Sequence, residues 1–187
     1  MNVFYIALGA NLPFGEHSPL DTLQGALNRL NVASTQMIAA SDVYRTPCFP
    51  EGAGPDFVNA VAKVMSDLKP TEMLEHLHAL EGDLGRERKS RWGARTVDLD
   101  LLAAGDLVLP NAAVFRHWME LAPDQQRVRA PDTLILPHPR LHERAFVLVP
   151  WRDIAADWVH PVLNKTVAEM CAALPPDDVA AVIKLVN

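Results

Sequence analysis

The sequence predicts an α/β (α+β) domain with the element order β-α-β-β-α-β, an added β-ribbon and C-terminal helices. Two apolar stripes at helical spacing and four short β-rich runs around them give that order. A composition that is 49% hydrophobic over 187 residues supplies a full core. The length fits one domain spanning 1–187, with an insertion at about 111–132.

Each element has a local justification. Val3–Leu8 (VFYIAL) is β-rich and is ended by Gly9. Leu20, Leu23, Leu27 and Leu30 then recur at helical spacing. Met37–Tyr44 reads as a second strand ahead of Thr46-Pro47, and Phe57–Met65 as a third. Lys69-Pro70-Thr71 opens a second helix, with Met73, Leu74, Leu77, Leu80 and Leu84 on one stripe. Val97–Ala103 is the fourth strand. Gly105–Leu109 and Thr133–Leu136 read as ribbon arms. The segment between them, Asn111–Asp132, is too long for a hairpin loop, and Phe115–Leu121 within it has the pattern of a short helix. Thr166–Leu174 reads as a helix stopped by Pro175-Pro176. The order is the split-βαβ, ferredoxin-like pattern.

Charge narrows the function classes. The net charge is −6, which argues against a general nucleic-acid or anionic-membrane binder, so any basic site must be local. Cys48 and Cys171 have no CxxC spacing and read as two thiols in a reducing cytosol. The N-terminal segment lacks a basic leader followed by a long apolar stretch, and no run reaches the roughly 18–20 apolar residues of a membrane span. The expectation is a cytoplasmic protein.

The chemistry concentrates in RWGARTVDLDLL (Arg91–Leu102). On a strand, Asp98 and Asp100 share one face while Val97, Leu99 and Leu101 share the other. Two ionised carboxylates about 7 Å apart at Cα repel unless a cation lies with them. Oxygen-only donors favour Mg²⁺ over Zn²⁺. Before the strand, Arg86, Arg88, Lys89, Arg91 and Arg95 face only Glu87 as an anion. Arginine forks suit phosphate oxygens, and Trp92 would cover a bound base. Taken together, the carboxylate pair and the arginine loop read as a site for Mg²⁺ and a nucleoside triphosphate. Taken separately, each has a plain alternative, a solvent-facing strand and a solvated basic turn.

PDFVNAV (Pro55–Val61) places Phe57 and Asn59 on one strand face, a ring to stack on a flat heterocycle and an amide to read its edge. Phe146, beside Arg144, offers a second ring; spacing alone favours the plainer reading of Phe57 and Phe146 as two core phenylalanines. His138 and His142 lie four apart with Pro139 between them, which disfavours a zinc pair and leaves His138 as a phosphate or ribose contact or a structural residue. From residues alone, two other readings stand: another Mg²⁺-dependent nucleotidyl or phosphoryl transferase, and a non-catalytic binding module.

The segments ALGANL, YRTP, PDFVNAV, LGRERKSRWGARTVDLDLL, LPHPRLHERAFVLVP and DIAADW run along nearly the whole chain. In them the chain resembles the 6-hydroxymethyl-7,8-dihydropterin pyrophosphokinases of folate biosynthesis. The resemblance implies a monomeric ferredoxin-like enzyme that moves a diphosphoryl group from ATP to the pterin hydroxymethyl oxygen and releases AMP. It implies two Mg²⁺ ions held by Asp98 and Asp100, and catalytic assistance from Arg86 and Arg95. Glu81, Arg88, Arg91, Trp92, Arg95, His138 and Arg144 fall in the implied ATP region. The implied pterin site comprises Phe57, Asn59, Phe146 and the chain around Thr46, Pro47 and Cys48.

The chain departs from the pattern. Ala94 stands for a usual proline, Ala10 for a serine and Phe57 for a frequent tyrosine, and the Arg86–Trp92 loop is one residue shorter than in some members. Thr133 and Ile135 stand where an arginine and a threonine contact ATP in relatives. The insertion carries Arg127 and Arg129, either of which would restore the missing cation. Replacing both by alanine is expected to raise the KM for ATP several-fold; an unchanged KM in steady-state assays rejects the substitution of one cation for another.

Overall fold

The computed structural model describes residues 1–31, 34–48, 52, 54–85 and 96–185. The elements, in order, are β1 (Asn2–Ala10), α1 (Pro19–Arg29), β2 (Thr35–Ala40), β3 (Tyr44–Thr46), β4 (Phe57–Ser66), α2 (Pro70–Asp83), β5 (Asp98–Ala104), α3 (Ala112–Met119) and α4 (Pro123–Val128). A 3₁₀ turn at Leu141–Glu143 follows, then α5 (Ala145–Ala155), α6 (Val167–Ala172), α7 (Pro176–Ala180) and β6 (Ile183–Lys184). The strands form one sheet in the order β5-β1-β4-β3-β6, with β2 also on β4. Every pairing is antiparallel.

The helix starts follow the sequence signals. Ser18 and Asp21 cap α1 reciprocally, with proline at the first helical position. Glu72 reaches back to the Lys69 amide at 2.7 Å to start α2.

Alternation along β1 and β4 divides the interior in two. Phe4, Ile6, Leu8, Ala60, Ala62 and Val64 face α1 and α2. Tyr5 and Val61 face α5 and α6, where Trp151 and Trp158 stack at 4.7 Å. In β5, Leu99 and Leu101 join the first core and Leu102 and Ala103 the second. Two consecutive residues share a face there because the β1–β5 register shifts between Tyr5 and Ile6.

Several elements differ from their sequence-based expectations. The second strand is broken into β2 and β3 at Ser41, whose hydroxyl accepts the Val61 amide at 3.0 Å in place of a ladder carbonyl. The β-ribbon is reduced to one bridge, Leu109 with Leu136. Pro110 and Pro137 follow these residues, and neither has an N–H to extend the ladder. The insertion holds two helices, α3 and α4, rather than one. Helix α5 has no counterpart in the sequence reading. Its AFVLVP start looks like a strand, and Val147–Trp151 are all buried, which erases the helical period. Cys48 and Cys171 are unpaired, as expected. Among the described residues no helix is long and apolar enough to cross a membrane.

His160 ties the insertion to this frame. It is fully buried, its Nδ1 accepts the Val162 and Leu163 amides at 3.2 Å, and the Phe115 ring lies 5.4 Å away. Burial, with His142 nearby, pushes its pKa from 6.5 down to about 4. Between those values the unfolded chain binds the proton more readily, so stability falls as pH drops from 6.5 toward 4. The full effect is roughly 3 kcal/mol. Urea unfolding at stepped pH should show wild type losing its advantage over a His160→Gln variant across that window.

Candidate active site

Register brings the predicted residues into line. Gly9 pairs with Asn59 on one side and Asp98 on the other, and Ala7 pairs with Val61 and Asp100. The rows Asn59–Gly9–Asp98 and Val61–Ala7–Asp100 therefore cross the face that α5 covers. At about 4.8 Å per strand, Asn59 and Asp98 lie about 10 Å apart at Cα with glycine between them. An added Cβ on Gly9 would sit 3.2 Å from Asn59 Oδ1. The missing side chain leaves a floor between amide and carboxylate. Alternation places Phe57, half-buried, on the same face as Asn59.

The start of α5 closes over this end. Arg144 Nη1 donates to Asp100 Oδ2 at 3.2 Å, and its Cζ lies 5.7 Å from the centre of the Phe146 ring. Phe146 is 40% exposed, high for a phenylalanine. The His138 amide donates to Leu102 O at 2.7 Å, docking the Pro137–Pro139 turn on β5. Its Nδ1 accepts the Arg140 amide at 3.2 Å, which leaves the ring proton on Nε2. Burial, reinforced by the Arg144 and Arg140 cations and opposed by Asp98, holds its pKa well below 6.5. The imidazole is a neutral donor.

Glu81 is 1% exposed, and its Oε1 accepts the Leu99 amide at 2.7 Å. It reaches β5 from α2, so its described contact is with the strand that carries the aspartates. Thr46 and Asn59 are buried and joined, Asn59 Nδ2 donating to Thr46 Oγ1 at 2.8 Å. Pro47 is exposed and Cys48 half-buried just beyond. Arg86, Arg88, Arg91, Trp92 and Arg95 lie outside the described residues, as does the side chain of Arg127. Arg129 is exposed on the insertion.

Two residues escaped the sequence reading of roles. Gly9 supplies the open floor. Asn11, 1% exposed, donates from Nδ2 to Pro55 O at 3.2 Å and fixes the entry to β4. The available signal was Gly-Ala-Asn at the close of a β-rich run, where the structure carries β1 on through Gly9 to Ala10.

A divalent cation suits this site. Asp98 and Asp100 offer only oxygen donors, both half-exposed on one face, and a guanidinium already lies against Asp100. Among the described residues no cluster of three or more His, Cys, Asp or Glu side chains surrounds a common point. Most of an ion's ligands would then come from phosphate and water, the arrangement Mg²⁺ favours.

Removing the Glu81 carboxylate leaves the buried Leu99 amide without this acceptor. Glu81→Ala should cost roughly 1–3 kcal/mol in chemical unfolding, with Glu81→Gln losing less because its amide oxygen still accepts.

A family model described as 7,8-dihydro-6-hydroxymethylpterin-pyrophosphokinase (HPPK) matches residues 5–156. A 2-amino-4-hydroxy-6-hydroxymethyldihydropteridine pyrophosphokinase of Haemophilus influenzae is 35% identical over 158 residues, 84% of this chain and 84% of that protein. A protein of the same name from Synechocystis is 35% identical over 177 residues, 91% of this chain and 78% of the relative. Among solved structures, wild-type Plasmodium falciparum HPPK-DHPS superposes with a TM-score of 0.65 at 15% identity, covering 91% of this chain and 40% of that one, a likeness of fold alone.

Proposed function

The chain belongs to the 7,8-dihydro-6-hydroxymethylpterin pyrophosphokinase family, and from that premise we propose how its site performs the family's reaction. It is a pyrophosphokinase, transferring diphosphate from ATP to 6-hydroxymethyl-7,8-dihydropterin in folate biosynthesis. The hydroxymethyl oxygen attacks the β-phosphorus, the bond from that phosphorus to the oxygen bridging to the α-phosphate breaks, and AMP leaves. The supporting observation is the row Asn59–Gly9–Asp98, an amide for a heterocycle edge and a carboxylate for a cation on either side of a bare floor.

Asn59, with Thr46, Pro47 and Cys48 beside it, binds the pterin edge, and Phe57 and Phe146 sandwich its ring. Asp98 and Asp100 hold Mg²⁺, two ions in the family's pattern. Bound there, magnesium supplies positive charge to the phosphate oxygens. Arg144 faces the nucleotide from the start of α5, and His138 offers its Nε2 proton to a phosphate or ribose oxygen. Arg86, Arg88, Arg91 and Arg95 stabilise charge gathering on the transferred group and departing AMP, and Trp92 covers the nucleotide. Glu81 acts by holding β5. Catalysis rests chiefly on positioning and electrostatics.

The strand order β5-β1-β4 with β2 and β3 beyond supports a ferredoxin-like core. We read residues 1–187 as one domain elaborated by the 111–132 insertion, acting as a cytoplasmic monomer. The negative net charge supports small-molecule rather than nucleic-acid partners.

The deciding experiment combines protein, Mg²⁺, ATP and hydroxymethyldihydropterin. AMP should form only when the pterin is present; ADP formation, or no consumption of nucleotide, overturns this reading. Asp98→Ala and Asp100→Ala should each lower kcat by a hundredfold or more, and near-normal turnover in either contradicts the metal assignment.

A further inference from the structure

We propose that Tyr44 is a positioning residue: its hydroxyl, held on Asp153, fixes the angle at which α5 crosses the sheet and so the opening between Phe146 and Phe57. This rests on the pterin ring lying between those two phenylalanines.

The row Asn59–Gly9–Asp98 does not stop at β4. Tyr44 pairs with Asn59, and Lys184 of the C-terminal strand β6 pairs with Tyr44. One line therefore runs Lys184–Tyr44–Asn59–Gly9–Asp98 across five strands. Tyr44 is 8% exposed and packs in the core beneath α5. Its hydroxyl donates to Asp153 Oδ2, in the last turn of that helix, at 2.9 Å. Burial and this hydrogen bond push the phenol up to about 12, so it remains a donor at neutral pH. Lys184, whose ammonium is paired with Asp42, lies close enough to Asp153 to feel its charge.

Asp153 and Phe146 are seven residues apart, close to two helical turns, which puts them on one flank of α5 about 10 Å apart along its axis. The other end of α5 is held by Arg144 on Asp100. Strands β3 and β5 are three strand spacings apart, about 14 Å. Two polar contacts that far apart fix the direction of a helix whose packing through Val147, Leu148 and Trp151 is apolar and carries no direction of its own. Phe146 lies between the two contacts. In the proposed reaction Arg144 gives up Asp100 to face the nucleotide, whereas Asp153 engages no substrate. Of the two contacts, the one with Tyr44 persists while the ring is bound.

The test is calorimetric titration of hydroxymethyldihydropterin into protein loaded with Mg²⁺ and α,β-methylene ATP, in which a carbon replaces the bridging oxygen and blocks transfer. Tyr44→Phe should raise the pterin Kd roughly tenfold, the size of one lost hydrogen bond, with the Kd of the nucleotide analogue within twofold of wild type. A side chain that merely supported the fold would weaken both. Asp153→Asn should stay within about threefold of wild type, because its amide oxygen still accepts the hydroxyl. Asp153→Ala should match Tyr44→Phe, and combining the two should add nothing further. An unchanged pterin Kd in Tyr44→Phe, an equal loss in Asp153→Asn, a matching loss of nucleotide affinity, or full additivity of Tyr44→Phe with Asp153→Ala each overturns the proposal. If Phe146→Ala leaves the pterin Kd unchanged, the pocket reading falls and the proposal with it. A raised Kd in Phe146→Ala beside an unaffected Tyr44→Phe removes the proposal alone.

Discussion

Asn59, Gly9 and Asp98 share a cross-strand row because β1 pairs antiparallel with β4 on one side and β5 on the other. The face that a side chain occupies in a sheet alternates with every residue, so a slip of one position in either pairing would turn the amide or the carboxylates into the opposite core. The apolar halves prevent that slip. Leu99 and Leu101 are buried against α1 and α2, as are Phe4, Ile6 and Leu8. Burying a leucine contributes about 1.5–3 kcal/mol. Moving those side chains to the α5 face would crowd a core that Tyr5, Val61 and α5 already fill and would bury the polar row beneath α1 and α2. The polar row is thus specified by the hydrophobic residues between its members.

The remaining constraints act on the same strand. The Glu81 carboxylate takes the Leu99 amide from the α2 side, and the His138 amide takes the Leu102 carbonyl from the loop before α5. Both clamp β5 by its backbone, one beside Asp98 and Asp100 and the other at the register shift. Such contacts do not depend on what a substrate does, which suits a site whose catalytic power is expected to come from fixed charges. The insertion is fastened farther away, where Phe115 packs on His160.

Sequence made β1, α1, α2, β4 and β5 legible because each carries its own period and a capping or turn signal. The same alternation that separated Leu99 from Asp98 located the candidate metal ligands. Helix α5 was not legible. Its first turns are apolar on every side, and Pro150 lies inside it, so local propensity points to a strand while burial between the sheet and α6 enforces a helix. The interruption at Ser41 was likewise hidden, since a serine hydroxyl replacing a ladder carbonyl is visible only once β4 is beside it. The same holds for Gly9. A glycine ending a strand looks like a stop, and its value as open floor appears only when two neighbouring strands supply Asn59 and Asp98. What pairing across the chain decides, a linear pattern does not carry.

One guanidinium touches both halves of the proposed site: Arg144 lies against the Asp100 carboxylate and over the Phe146 ring. In the proposed function, with an ion at Asp100 and a ring on Phe146, occupancy of the two halves would therefore be thermodynamically linked. An ion arriving at Asp100 competes with that guanidinium, and a flat molecule arriving at Phe146 changes the surface on which it rests. Whatever factor the first arrival imposes on the affinity for the second, the second must return to the first. The communication needs no moving domain, only one side chain with two neighbours.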